Sequence, residues 1–92
     1  MGFIRIHILH HAAEEPVYGL WLIEELGRHG YKLSPGTIYP MLRKLEEAQL
    51  LKSYSEKHQG KIRKYYRTTP KGNLALADSK LKIDALVEEL ND

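Results

Sequence analysis

The chain contains no cysteine. That excludes disulfide staples and thiolate metal sites, and it suits a reducing compartment. No apolar run approaches the roughly 20 residues that a membrane-spanning helix needs. The opening Met1-Gly2-Phe3-Ile4-Arg5 lacks the shape of a secretory signal, and Ile6 stands where a myristoylation signal wants Ser or Thr. A cytoplasmic protein without a membrane partner is expected. There is no internal repeat and no low-complexity segment. Catalytic hallmarks are missing as well: no paired carboxylates, no nucleophile triad and no Gly-rich phosphate loop, so the chain reads as a non-enzyme. Stacking aromatics of the kind that RNA modules use are few.

What is present is compact and uneven in charge. With 92 residues the chain makes one small domain. A domain of this size buries only about 60–65% of its unfolded surface, and so gains from a partner subunit. The net charge of +2 conceals a block from Arg43 to Lys71 that carries nine basic residues against three acidic ones. The segments before and after it are both mildly acidic. A concentrated basic block is the footprint of a polyanion binder.

The pattern around that block is mostly helical. Phe3 to about Ala13 reads as a first helix whose apolar residues cover more than one stripe, which predicts burial on two sides, one of them beyond its own domain. His7 and His11 share a face of it, with His10 beside them. No carboxylate or cysteine stands at a matching position, so neither a metal site nor a cofactor is expected. Glu14-Glu15-Pro16 ends this helix. A second helix runs from about Val17 to His29 and stops at Gly30. Its inward stripe is Gly19, Leu22, Ile23 and Leu26. Gly19 lets another helix come close. Trp21 projects to the polar side, as cover for a neighbouring element or as part of a ligand site.

After the short Tyr31-Lys32-Leu33 link, Ser34 is placed as an N-cap and Pro35 at the first helical position. Ile38, Met41, Leu42 and Leu45 then fall on one side. Thr37, Tyr39, Arg43 and Lys44 lie in front or on the flanks. Two helices joined by a brief Gly-containing turn, the second with an exposed reading face, make a helix-turn-helix. Pro40 inside that helix costs about 3 kcal/mol in an interior, and predicts a bent or tightened first turn with the proline ring outward.

Leu50–Glu56 and Ile62–Thr69 read as strands around a loop at Lys57–Lys61 with Gly60 at its tip. Alternation puts Tyr66 in the core and leaves Tyr65 more exposed. The hairpin tip, with Lys57, Lys61, Arg63 and Lys64, projects as a cationic wing, so the fold is a winged helix: mostly α with a small β-hairpin. Thr69 and Pro70 open a last helix with two apolar stripes. Leu74, Ala77, Leu81 and Ala85 form one; Leu76, Ile83, Leu86, Val87 and Leu90 form the other. One stripe packs at home, which leaves the other for a second copy of the chain. The expected organisation is a DNA-binding unit over 1–70 and a dimerisation helix over 71–92, with Phe3, Ile4, Leu76, Ile83, Leu86, Val87 and Leu90 at the dimer interface.

Several stretches carry a resemblance. Tyr18-Gly19, Leu22-Ile23-Glu24-Glu25-Leu26, Ser34-Pro35-Gly36-Thr37-Ile38-Tyr39-Pro40, Leu42 with Leu45-Glu46, and Arg63-Lys64-Tyr65-Tyr66-Arg67-Thr68-Thr69 with Lys71-Gly72 resemble the PadR family of transcriptional regulators, in order along nearly the whole chain. The resemblance implies a homodimeric winged helix that binds double-stranded DNA at a palindromic operator and usually represses. It places Ser34, Thr37, Tyr39, Arg43 and Lys44 at the groove, and Lys61, Arg63 and Lys64 on the wing. It also implies a small hydrophobic effector, without marking a pocket for it. Trp21 departs from the family, which commonly has an acidic residue there. A winged helix that binds protein in place of an operator is the alternative.

Overall fold

The computed structural model describes residues 2–92. Four helices and one hairpin follow in the order α1 (Phe3–Glu14), α2 (Gly19–Arg28), α3 (Pro35–Glu47), β1 (Leu51–His58), β2 (Lys61–Thr68) and α4 (Pro70–Leu90). The helices pack around one apolar cluster. Into it α1 sends Ile8, Leu9 and Ala12, α2 sends Leu22 and Leu26, and α3 sends Ile38, Leu42 and Leu45. Leu50, Leu51 and Tyr66 close it from the hairpin side, and Leu76 from α4. Tyr66 is the buried tyrosine of β2 and Tyr65 is half-buried, as the alternation predicts.

Helix ends follow local chemistry. α2 and α3 both stop in a Schellman arrangement: a left-handed residue, with the next N–H reaching back five positions to a carbonyl. At the end of α2 the left-handed residue is Gly30 (φ 90°), and the Tyr31 N–H donates to the Leu26 carbonyl at 3.0 Å. At the end of α3 it is Gln49 (φ 63°), and the Leu50 N–H donates to the Leu45 carbonyl at 2.9 Å. Thr69 caps α4 as expected, its Oγ1 accepting from the Gly72 N–H at 3.0 Å. The same hydroxyl donates to the Gln49 carbonyl at 2.5 Å, which ties the start of α4 to the end of α3. Lys71 Nζ adds a 3.0 Å bond to the Ala48 carbonyl.

The first turn of α3 is tightened. The Ser34 carbonyl accepts from both the Thr37 and the Ile38 N–H, each at 3.0 Å. Helical backbone then continues through Pro40, whose ring is half-buried and not fully outward. Ser34 takes the N-cap backbone position but makes no side-chain cap.

Three elements depart from the sequence reading. Val17 lies outside α2 and forms a one-residue bridge with Tyr66, with N–H to carbonyl distances of 2.9 and 2.7 Å in the two directions. Its β-branch lowers its helix propensity and suits extended backbone, and Tyr66 offers both bridge partners. The wing turn is shorter than expected. His58 pairs with Lys61, and only Gln59 and Gly60 turn the chain, with φ 50° and 79°, the signs that a type I′ turn requires. The strands therefore reach further out, and Ile62 is 79% exposed at the tip although it shares a face with Tyr66.

The third departure concerns the apolar stripes. Leu76 is buried at 6% exposure in its own domain's core, so it is withdrawn from the surface at which it was expected. It follows Gly72 by one helical turn, and Gly72 lies against the Leu50 backbone. That contact rotates the Gly72–Leu76–Ser79 side inward. Leu74 and Leu81 are left 73% and 69% exposed, and Leu86, Val87 and Leu90 48%, 50% and 74%. The two-sided burial of α1 is met within the chain, by α2, β2 and α4. Phe3 is 58% exposed, while Ile4 and Ile83 are half-buried. Among the described residues no helix is long and apolar enough to cross a membrane.

Candidate nucleic-acid interface

The start of α2, with Tyr39 of α3 laid over it, and the hairpin face each other across an open cleft of about 540 Å³. Tyr18, Gly19, Leu20 and Tyr39 line one wall; His58, Gln59, Lys61, Ile62, Arg63 and Lys64 line the other. Of the predicted contact residues, Tyr39, Lys61, Arg63 and Lys64 meet here. Ser34 and Thr37, at the cap and in the first turn of α3, are exposed, and their hydroxyl oxygens are 3.4 Å apart. Arg43 is exposed further along α3. Lys44 lines a separate hollow with Arg5, Met41, Leu45 and Ala48, so it stands apart from the cleft.

Tyr39 owes its position to a missing side chain. A Cβ built on Gly19 would come within 2.5–2.7 Å of the Tyr39 ring carbons Cε1 and Cζ and its hydroxyl. The ring therefore lies over the start of α2, 39% exposed. The sequence placed Gly19 inward correctly, but the element that approaches is this one aromatic ring.

The wing is braced by tyrosines. Arg63 Cζ sits 4.0 Å above the Tyr18 ring, within cation–π range. Tyr18 meets Tyr65 edge-on at 5.6 Å, and Tyr65 stacks on Tyr54 at 5.6 Å with 19° between planes. This row holds the base of the hairpin against the start of α2. Arg63 is consequently half-buried and fixed in direction. Lys64 is drawn toward Glu46 at 3.8 Å, and Glu46 also accepts from Ser53 Oγ at 2.6 Å. Lys61 is exposed at the tip. Sequence reasoning did not single out Tyr18, Leu20, His58, Gln59 or Ile62 as cleft residues. Leu20 at 60% exposure was the available signal, an apolar residue off the buried stripe of its helix.

On the far side of α2, histidines collect. His7 and His11 of α1 approach Glu25 of α2, His29 at its C-cap, and Tyr31, and His10 stands edge-on beside His11. The expectation that nothing completes a donor set beside His7 and His11 is overturned: along α1 itself Glu14 stands within 4.8 Å of His10 and His11 by their ligand atoms. Glu25 and His29 arrive from the second helix, a juxtaposition that spacing within one helix does not show. The His11 ring meets Trp21 edge-on at 5.3 Å, so this half-buried tryptophan covers α1. His7 and His11 are both held below the ordinary imidazole pKa, first by burial. The next contributions are from His29 for His7 and from His10 for His11.

Comparison with known proteins gives a consistent picture. The family model described as the transcriptional regulator PadR-like family matches residues 8–78. The chain is 47% identical over 87 residues to Transcriptional regulator Rv3488 of Mycobacterium tuberculosis, covering 95% of this chain and 81% of that protein. Among solved structures it is similar to a PadR family transcription regulator from Clostridium difficile, with a TM-score of 0.89 at 28% identity over 98% of this chain and 96% of that one. A PadR family regulator from Eggerthella lenta is similar with a TM-score of 0.83 at 33% identity, covering 96% and 78% of the two chains.

Proposed function

The chain belongs to the PadR-like family of transcriptional regulators, and from that premise we propose that it is a cytoplasmic, non-catalytic, homodimeric repressor of a palindromic operator. The observation that supports this best is that Tyr39 of α3 and the cationic wing line one cleft, while Ser34, Thr37 and Arg43 are exposed on the same helix and its cap. In the proposed complex α3 enters the major groove by its N-terminal end, the orientation in which a recognition helix reaches base edges. Thr37 and Tyr39 touch bases or thymine methyls. Arg43 pairs with guanine or a phosphate. Lys61 and Lys64 hold the backbone beside the groove, and Arg63 directs its charge from its seat on Tyr18.

Two copies joined through α4 set their recognition helices about 34 Å apart, one turn of DNA. The bare leucines of α4 support that assembly: Leu74 and Leu81 on one side, Leu86, Val87 and Leu90 at the far end. Phe3 and Ile83 extend the surface toward α1, where they line a hollow of about 340 Å³ with Ile6 and Leu86. A small hydrophobic effector that fits there between subunits changes the half-site separation and releases the operator. The test is a mobility-shift titration with the DNA upstream of the protein's own gene, comparing the native protein with Thr37→Ala. A specific band that weakens on this substitution supports the reading. Equal affinity for that DNA and for scrambled DNA, with or without the substitution, overturns it.

A further inference from the structure

The histidine cluster lies away from the DNA-facing cleft and takes no part in the reading above. His11, Glu25 and His29 each offer a ligand atom, and the three atoms lie within 4.8 Å of one another. Both imidazoles turn Nε2 toward the same carboxylate oxygen: His29 is 3.4 Å and His11 3.9 Å from Glu25 Oε2. Charge-assisted hydrogen bonds run at about 2.7–2.9 Å, so neither separation is that of a well-made bond. The neighbouring His10–Glu14 pair shows the contrast, at 2.7 Å. Ligands of a tetrahedral ion at a metal–nitrogen distance of about 2.1 Å stand about 3.4 Å apart, which is the spacing found at His29 and is nearly reached at His11.

The surroundings support the same conclusion. The second oxygen of Glu25 is held by Arg28 at 3.0 Å, which orients the carboxylate and leaves Oε2 to the imidazoles. Glu25 is only 15% exposed and His11 16%, so two of the three donors are already positioned. The His7 ring flanks the site, 5.2 Å from that of His29 and 6.4 Å from that of His11. We propose that His11, Glu25 and His29 form a three-residue binding site for a divalent transition-metal ion that bridges α1 and α2, with water at the remaining position. Two imidazoles with one carboxylate suit Zn²⁺, Co²⁺, Ni²⁺ or Cu²⁺, and lack the oxygen count that Ca²⁺ or Mg²⁺ takes.

The experiment uses tag-free full-length chain stripped with a chelator, titrated with Co²⁺ alone and then with Zn²⁺, in the absence of DNA. Its outcome is therefore independent of operator binding. The expected result is one equivalent per chain, a visible ligand-field band for Co²⁺ that Zn²⁺ abolishes, and a higher Tm with metal, because an ion that binds only the folded chain stabilises it. Glu25→Gln and His29→Gln should each weaken Zn²⁺ binding at least tenfold, in line with loss of a ligand, while the metal-free Tm stays close to native. Glu14→Gln should leave the affinity unchanged. Absence of saturable binding overturns the proposal, as does an affinity that His29→Gln leaves intact. Loss with Glu14→Gln as large as with Glu25→Gln would move the ion to His10, His11 and Glu14, and would equally refute this site.

Discussion

The ring of Tyr39 occupies the space that a side chain at residue 19 would fill, and Gly19 is the residue that leaves it open. Only the far end of a flexible side chain stands in the way, so Gly19→Ala is expected to swing the ring out at little cost in stability. Binding should suffer more than folding: operator affinity is expected to fall about fivefold, or ~1 kcal/mol. In a Tyr39→Ala background the same change should be silent in binding, and a double-mutant cycle by fluorescence anisotropy reads this coupling.

Gly72 presents the opposite case. Its missing Cβ would meet the backbone carbonyl of Leu50, which cannot rotate aside. Gly72→Ala is expected to destabilise by about 3 kcal/mol or more, the upper range for overpacking. Gly27, within α2, has nothing within 4 Å of a built Cβ. There Gly→Ala should stabilise by about 0.5–1 kcal/mol through helix propensity. Urea unfolding of the two variants checks both signs.

Gln49 is held at φ 63° with its side chain exposed. Gln49→Gly is expected to gain about 1 kcal/mol by relieving the left-handed backbone, without touching the carbonyl that Thr69 grips. For a domain of this size that raises Tm by roughly 4–8 °C. Thr69→Val should lower it, losing about 1 kcal/mol with the N-cap.

Lys61 sits free at the wing tip, whereas Lys64 is partly engaged with Glu46. Lys61→Ala should weaken binding to all DNA sequences alike and reduce the salt slope by about one. If the dimer neutralises six to ten phosphates, native affinity should drop by about 10³–10⁵ between 50 and 200 mM salt. Anisotropy titrations at several ionic strengths test both points.

Leu74 and Leu81 are the most exposed apolar residues of the central turns of α4. Replacing both with Glu should leave the monomer fold intact, since neither enters the core, and yield a single-chain sedimentation coefficient. The Leu76→Glu variant should instead unfold the domain, because a charge would be buried without a partner.

Much of this architecture could be read from residue order. Ser34-Pro35 marked the start of α3, Gly30 marked the end of α2, and Thr69-Pro70 marked the start of α4, because each of these signals is local chemistry. Tyr66 was legible from period-two alternation alone. What escaped depends on contacts distant in the chain. Val17 is extended because Tyr66 receives it, and Gln59 turns the hairpin although Asn or Asp more often does so. Leu76 points inward because Gly72 meets Leu50, which separates it from Leu86, Val87 and Leu90 of its own stripe. At the candidate interface the cationic residues were named from the sequence, but the seat of Arg63 on Tyr18 and the removal of Lys44 to another hollow were not. Both depend on how separate elements meet.

The Val17–Tyr66 bridge joins the strand of the wing to the segment that leads into α2. A hairpin pinned in this way cannot swing like a hinged flap without dragging the helix pair with it. α3 and the wing therefore keep a constant separation within each chain, like the jaws of a fixed wrench. In the proposed dimer, any adjustment to a differently spaced target has to come from how one chain is mounted on the other.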